Sequence, residues 1–327
     1  NYSHTVLSLS SSLNMQYLDE LAGRLGGETN NQEPLREMIS NSSARRFLAE
    51  RGYRFVSFQT GFNATEAQNA DIYLAPDGTS EFERGLLGTT AVSLPRRQRA
   101  KDQAKLAHIF ARLPETARMR GPLFVFAHIV APHPPFVVNA DGEDIGDESY
   151  FDLLSADHLI TEGKLTRRQY IDRYLGQMAY AEKKITACLD EILNESRLDP
   201  IIILQADHGP GCYLHHNSLE RSYLQDRMCI LSAYHLPGGG NSILHDSIHP
   251  VNTFRVVFNR YFDAGMPLLE ERNYLAESNH IYRLTDVTDM IGDEADRGRF
   301  EVLRQMDYYP PDPAEDAATA QVQSDGR

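Results

Sequence analysis

The spacing of apolar residues along this 327-residue chain alternates between a helical and a strand period. Short apolar runs at 53–58 (YRFVSF), 70–76 (ADIYLAP), 122–130 (PLFVFAHIV) and 201–204 (IIIL) predict buried strands, being too short for helices. Longer stretches at 33–51, 95–113 and 251–263 predict helices. The clearest helix is 170–193, where Ile171, Leu175, Met178, Ile185, Leu189 and Ile192 recur at three-, four- and seven-residue steps. Further strands are expected at 227–236 (RMCILSAYHL) and, on an edge, at 280–288 (HIYRLTDVT). Helix-then-strand order of this kind predicts an α/β fold with a mainly parallel sheet covered by helices on both faces.

From about Tyr309 the pattern stops. The segment 309–327 lacks large apolar residues apart from one Val and is expected to be a disordered acidic tail behind a single domain, 1–308. The formal charge of −14 offers no basic stripe, which argues against a nucleic-acid partner. Cys188, Cys212 and Cys229 are an odd, widely spaced set that implies neither a zinc ribbon nor a disulfide framework. No apolar run reaches the length of a membrane span, and there is no signal peptide. The opening NYSHTVLSLSSSLNM reads like the interior of a domain, so further sequence is expected upstream of Asn1.

The most informative stretch is IIILQADHGPG, 201–211. Its strand ends in Asp207 and His208, followed by Gly209 and the breakers Pro210 and Gly211. Open α/β sheets gather ligands beyond the carboxyl ends of their strands, and an adjacent carboxylate and imidazole there suit a divalent metal. The plain alternative is that both side chains cap the next turn.

Four segments in order resemble the alkaline phosphatase and sulfatase superfamily, nearest its bacterial membrane-anchored sulfatase-like proteins, close to phosphoethanolamine transferases and lipoteichoic acid synthases. They are residues 1–18, 124–136 (FVFAHIVAPHPPF), 201–211 and 249–275. The resemblance implies an alkaline-phosphatase-like fold whose first strand, carrying an acidic metal ligand, is missing here. It places Thr5 at the nucleophile position, with Leu7, Ser8 and Leu9 following where formylglycine sulfatases carry Pro, Ser and Arg. Without Cys or Ser at residue 5 there is nothing to convert to formylglycine, which counts against sulfate ester hydrolysis. Thr is the nucleophile of the transferases. Thr5 also reads as the N-cap of a Ser-rich helix, and a helix N-terminus favours a phosphorylated side chain. Ser3 and Ser8 are the weaker nucleophile candidates.

The implied site sets Asp207, His208 and Thr5 around a divalent metal (Zn, Mn or Ca) that activates the hydroxyl. His133, in a loop stiffened by Pro132, Pro134 and Pro135, is expected to contact the phosphate or sulfate and protonate the leaving oxygen. His128 is expected to be a buried structural histidine and is kept as a second substrate contact. Arg227 is expected to neutralise an anionic substrate or to pair with a local acid. His215, His216, His245 and His249 are expected to be solvated bystanders, Arg255 structural, and Phe254, Phe258, Tyr261 and Phe262 core. The implied activity is metal-dependent phosphoryl-type transfer or hydrolysis through a phosphothreonine, on a small-molecule, lipid or glycan ester at the extracytoplasmic face of a bacterial envelope. Membrane association is expected only through an anchor upstream. Alternatives are a sulfatase-type ester hydrolase and a non-catalytic envelope scaffold. One acidic ligand short, this chain alone is expected to bind metal weakly and turn over little.

Overall fold

The computed structural model describes residues 1–76, 94–146 and 156–306. The expected tail at 309–327 lies outside them. A central three-stranded parallel sheet has the order β2–β1–β3, with β1 at Arg54–Phe58, β2 at Ile72–Leu74 and β3 at Leu123–Phe126. Alternation along these strands feeds two faces. Val56 and Phe58, with Val125 and Ile72, pack on Ile109 of helix α5, Leu94–Arg112. Phe124 and Phe126 turn the other way, onto Leu9 and Leu13 of α1 (Thr5–Asn14) and Phe254 of α9 (Pro250–Phe262).

Two further sheets depart from the expected mainly parallel arrangement. Strand β4, Ile202–Gln205, pairs antiparallel with β5, Ser232–His235. Residues 227–236 are therefore not one strand: helix α8, Leu224–Met228, holds the first two of them. Strands β6 (Tyr274–Ala276) and β7 (Leu284–Asp286) form the third sheet, antiparallel, to which Tyr2 adds a parallel bridge. Among the described residues β3 and β4 are not hydrogen-bonded to each other. Helix α9 lies across both, with Phe254 against Phe124 and Thr253 donating to Gln205 Oε1 at 2.8 Å. Its aromatic residues Phe254, Phe258, Tyr261 and Phe262 are core, as their spacing predicts.

The expected helix at 33–51 is two. Helix α3, Glu33–Ser40, ends at Asn41, and Ser42 caps α4 (Ser43–Ala49) by accepting from Arg45 N. The capping serine wins over continuation because it satisfies an amide that a helix start would otherwise leave bare. Helix α2 (Asp19–Leu25) precedes the pair, and α6 (Ala156–Thr161) leads into the long helix α7, Arg167–Glu195. The inward stripe of α7 is Tyr170, Gln177, Ala181 and Cys188, whereas Leu175 is 49% exposed. The buried stripe thus includes a glutamine that a count of apolar residues passes over. Helix α10, Glu294–Leu303, closes the described chain.

Candidate active site

Helix α1 is buried along almost its whole length despite five serines and threonines, because small hydroxylated side chains return their hydrogen bonds to nearby carbonyls. Ser10 donates to Leu35 O and Ser11 to Gln16 O. The N-cap is His4, in extended conformation, and Thr5 is the first helical residue, one step later than expected. The first amide bonded within the helix is that of Leu7, to His4 O, so Thr5 sits at the positive end of the helix dipole.

Opposite it, β4 delivers Asp207 and His208. Thr5 Oγ1 lies 3.1 Å from His208 Nε2, although the two are 203 positions apart in sequence. His208 Nε2 is 3.3 Å from Asp207 Oδ2, and Asp207 is also hydrogen-bonded to Thr5. His208 Nδ1 is 2.9 Å from Gly209 O. A carbonyl can only accept, so Nδ1 carries the proton and Nε2 presents its lone pair. Asp207 and His208 are 19% and 11% exposed. Burial, with Arg227 next, pushes His208 down to about 3, so the ring is neutral. Burial alone would raise the Asp207 carboxyl, but His208, His128, the Thr5 hydroxyl and Arg227 together hold it well below the carboxylate range. Three lone-pair-bearing atoms therefore converge with one shared hydroxyl proton among them.

The turn that carries them is moulded by α8. Gly209 N donates to Arg227 O at 2.8 Å, and a Cβ on Gly209 would meet Asp226 O at 1.9 Å. Arg227 directs its guanidinium at main-chain carbonyls. Its Nε donates to Ser3 O at 2.9 Å, a second amino group reaches the same oxygen, and its NH1 donates to Gly209 O at 2.8 Å. This corrects the expected anion contact: a buried guanidinium spends its planar fork on carbonyls of both segments, and so fixes Thr5 against His208. It is a positioning residue.

His133 and His128 reach the same region from the end of β3. His133 Nδ1 donates to Pro134 O at 2.5 Å, which again leaves Nε2 as an acceptor. Burial holds its pKa below the usual histidine range. At neutral pH it is thus poised to take a proton before it can give one. His128 Nδ1 is 2.8 Å from Thr65 Oγ1, and burial lowers its pKa too, with the charge of Asp207 opposing. Its anchoring to Thr65 matches the structural role.

The two weaker nucleophile candidates are shut away. Ser3 and Ser8 are both fully buried, and Ser3 Oγ accepts from Ala276 N at 3.0 Å. His215 and His216 are buried rather than solvated, because Ser222 Oγ folds their loop inward by donating to His215 O and accepting from His215 N. His216 stacks on His4 at 4.7 Å. His245 and His249 lie 3.8 and 3.9 Å from Glu271. Arg255 is structural as expected, donating to Met15 O and Pro267 O.

Two residues with no local signature also shape the site. Gln177, in the inward stripe of α7, accepts from Val137 N at 2.8 Å and donates to His133 O at 3.2 Å and Pro135 O at 3.4 Å, holding the proline-rich loop. Asp226 accepts from Cys212 Sγ at 3.6 Å, and burial raises its carboxyl to about 6. An unfolded Asp titrates near 3.9, so the stability tied to its protonated form is complete below about pH 4 and is lost as pH rises through 6. Asp226→Asn is therefore expected to match the native protein at pH 4 and to exceed it above pH 6, by up to about 3 kcal/mol. Urea melts at both pH values measure the difference; equal gains at both would remove the carboxyl titration as the cause.

Among the described residues no three His, Cys, Asp or Glu side chains gather closely enough to hold an ion by themselves. Thr5 Oγ1 is the third polar atom beside Asp207 and His208. The separations of 3.1 and 3.3 Å match the edge of a tetrahedron, about 3.3 Å for bonds near 2 Å, and His208 presents its lone pair in the ligating tautomer. The donor set fits a divalent ion. Also among the described residues, no helix is long and apolar enough to cross a membrane. No family model and no curated protein matches the chain.

Proposed function

We propose that this chain carries a metal-dependent phosphoryl-type transferase or hydrolase centre of the alkaline phosphatase and sulfatase type, with Thr5 as nucleophile. The observation that carries the reading is the convergence of Thr5 Oγ1, His208 Nε2 and Asp207 Oδ2 from segments far apart in sequence, around one proton. Two neutral or anionic acceptors facing each other at 3.3 Å repel unless a cation or shared proton lies between them. Asp207, His208 and Thr5 would hold the ion, and the imidazole donor favours Zn or Mn over Ca. When bound, it supplies a Lewis acid that lowers the pKa of the Thr5 hydroxyl and takes up charge on the phosphoryl group.

The chain's own residues account for the rest. Thr5 Oγ attacks phosphorus, its hydroxyl proton passing through the facing Asp207 carboxylate to solvent, and the Thr5–phosphorus bond forms as the bond from phosphorus to the ester oxygen breaks. The positive end of α1 stabilises the added negative charge. In the second half His133 Nε2 takes the proton of the incoming water or alcohol as that oxygen bonds to phosphorus and the bond to Thr5 Oγ breaks; Thr5 Oγ regains a proton from solvent, and the imidazolium protonates the next leaving oxygen. Arg227 keeps the two halves of the centre in register. Thr at residue 5, with no Cys or Ser to form formylglycine, supports phosphorus over sulfur. The envelope setting is what the resemblance implies for such a centre.

Single-turnover assays of the Zn²⁺-supplied protein with bis(p-nitrophenyl) phosphate test this. One equivalent of nitrophenol and an aryl phosphoryl adduct on Thr5, found by mass spectrometry, are expected, with little reaction on nitrophenyl sulfate. Isothermal titration should show one weak Zn²⁺ site that disappears in His208→Ala. An adduct on another residue, or equal rates on the sulfate, would overturn the proposal.

A further inference from the structure

Helix α7 carries Tyr170, Tyr174 and Gln177 along one face, four and then three residues apart. Gln177 is spent on the His133 loop, through Val137 N and His133 O. Tyr170 packs between the end of that loop and the segment after Gly209. Its ring meets Phe136 edge-on at 5.2 Å between centroids and shares a core with Cys212. Tyr174 stacks on Tyr170 at 6.0 Å and stays partly exposed. Tyr170 is only 2% exposed, yet among the described residues neither phenol hydroxyl forms a hydrogen bond. A buried hydroxyl in that condition costs stability, and folded proteins rarely leave one so. The charges of Arg227 and Asp226 reach both hydroxyls, and that of Asp207 reaches Tyr174. The pair therefore borders the Thr5 centre.

We propose that the Tyr170 and Tyr174 hydroxyls are the anion contacts of this centre, donating to the non-bridging oxygens of the phosphoryl group. The inference rests on the phosphoryl-transfer reading above and names the residues that hold the group for attack. That duty is open, because the fork of Arg227 is taken up by Ser3 O and Gly209 O. Burial raises the pKa of Tyr170 well above the usual tyrosine range and that of Tyr174 to about 12, so both keep their protons and act as donors. Neutral donors suit a centre proposed to hold a dication, since a cationic side chain in their place would repel the metal. Fixed on a helix, they need little rearrangement as negative charge gathers on the phosphoryl oxygens.

The test replaces each tyrosine by phenylalanine in the full Zn²⁺-supplied chain, which keeps the rings and their packing on Phe136 and removes only the hydroxyl oxygens. Single-turnover formation of the Thr5 adduct from bis(p-nitrophenyl) phosphate is expected to slow about a hundredfold or more in Tyr170→Phe and in Tyr174→Phe. Zn²⁺ affinity and the melting temperature should hold, because neither hydroxyl bonds to the protein. Adduct formation at the native rate in both variants overturns the assignment and leaves the phosphoryl reading standing. Slowing that comes with an equal loss of Zn²⁺ affinity or a lowered melt makes the hydroxyls structural and overturns it too. If the native chain forms no Thr5 adduct, the phosphoryl reading falls, and calorimetry with inorganic phosphate decides the tyrosines separately. Phosphate binding that weakens about tenfold or more in the phenylalanine variants keeps them as anion contacts. Equal phosphate affinity in all three proteins, or none in any, overturns them.

Discussion

Thr5→Ala is expected to lose single-turnover cleavage of bis(p-nitrophenyl) phosphate altogether, with a fall of at least about ten-thousand-fold, while its thermal melt barely moves. The hydroxyl sits at the mouth of α1, and its one hydrogen-bonding direction is toward His208 and Asp207. Removing it takes away both the proposed attacking atom and one of the three donors proposed to hold the metal, so no acceptor remains for the phosphoryl group. Neighbouring hydroxyls cannot stand in, because Ser3 and Ser8 are fully buried. Thr5→Ser should keep part of the rate, since the oxygen stays in place and only the methyl group is lost. His133→Ala should be gentler, about a hundred- to ten-thousand-fold, the usual worth of proton transfer. Rapid nitrophenol release by Thr5→Ala, without an adduct, would show that water rather than Thr5 attacks phosphorus.

Much of this centre was legible because its signals are local. A strand ending in Asp207, His208 and Gly209 announces a ligand-bearing turn from a few consecutive residues, and Pro132, Pro134 and Pro135 announce a stiff loop around His133. What could not be read is what depends on partners distant in sequence. Arg227 looks like an anion contact until its fork is seen on Ser3 O and Gly209 O, 224 and 18 positions away. Gln177 looks like a surface residue of α7, because apolar spacing assigns the buried stripe to its neighbours. Its three bonds to the His133 loop reverse that assignment.

Sheet direction was read correctly for β1, β2 and β3, which pair parallel, and failed at β4 and β5 for a related reason. An apolar run specifies a strand but not the sense in which it pairs. Residues 227–236 carry two structures in one apolar pattern: α8 ends at Met228 and β5 begins at Ser232. The chain between β4 and β5, α8 included, returns to the same end of β4, so β5 runs back along it as an antiparallel neighbour. The same α8 then supplies Asp226 O and Arg227 O against the turn that carries Asp207 and His208. The departure from a parallel sheet is thus part of how the site is held.

Gly209→Ala is expected to have the largest effect on folding of any single methyl group added near the site. The new Cβ would lie 1.9 Å from Asp226 O and 3.0 Å from both Asp226 C and Cys229 O. All three are backbone atoms of α8 and its end, which cannot swing aside as a side-chain tip can. Gly209 N is bonded to Arg227 O, and Gly209 O receives Arg227 NH1, so moving the turn breaks contacts on both sides of the residue. Overpacking of this kind costs about 3 kcal/mol or more. Because Asp207 and His208 ride on the same turn, Zn²⁺ binding should fall with stability rather than survive it. Gly211→Ala is the control: its nearest contact is the Ala156 side chain at 3.1 Å, followed by Arg227 NH1 at 3.6 Å, and small adjustments relieve both. A loss of about 1 kcal/mol or less is expected there, with the Zn²⁺ site intact. Chemical denaturation and calorimetry on the two variants settle the comparison, and a Gly209→Ala protein as stable and metal-competent as Gly211→Ala would refute the close packing of α8 against this turn.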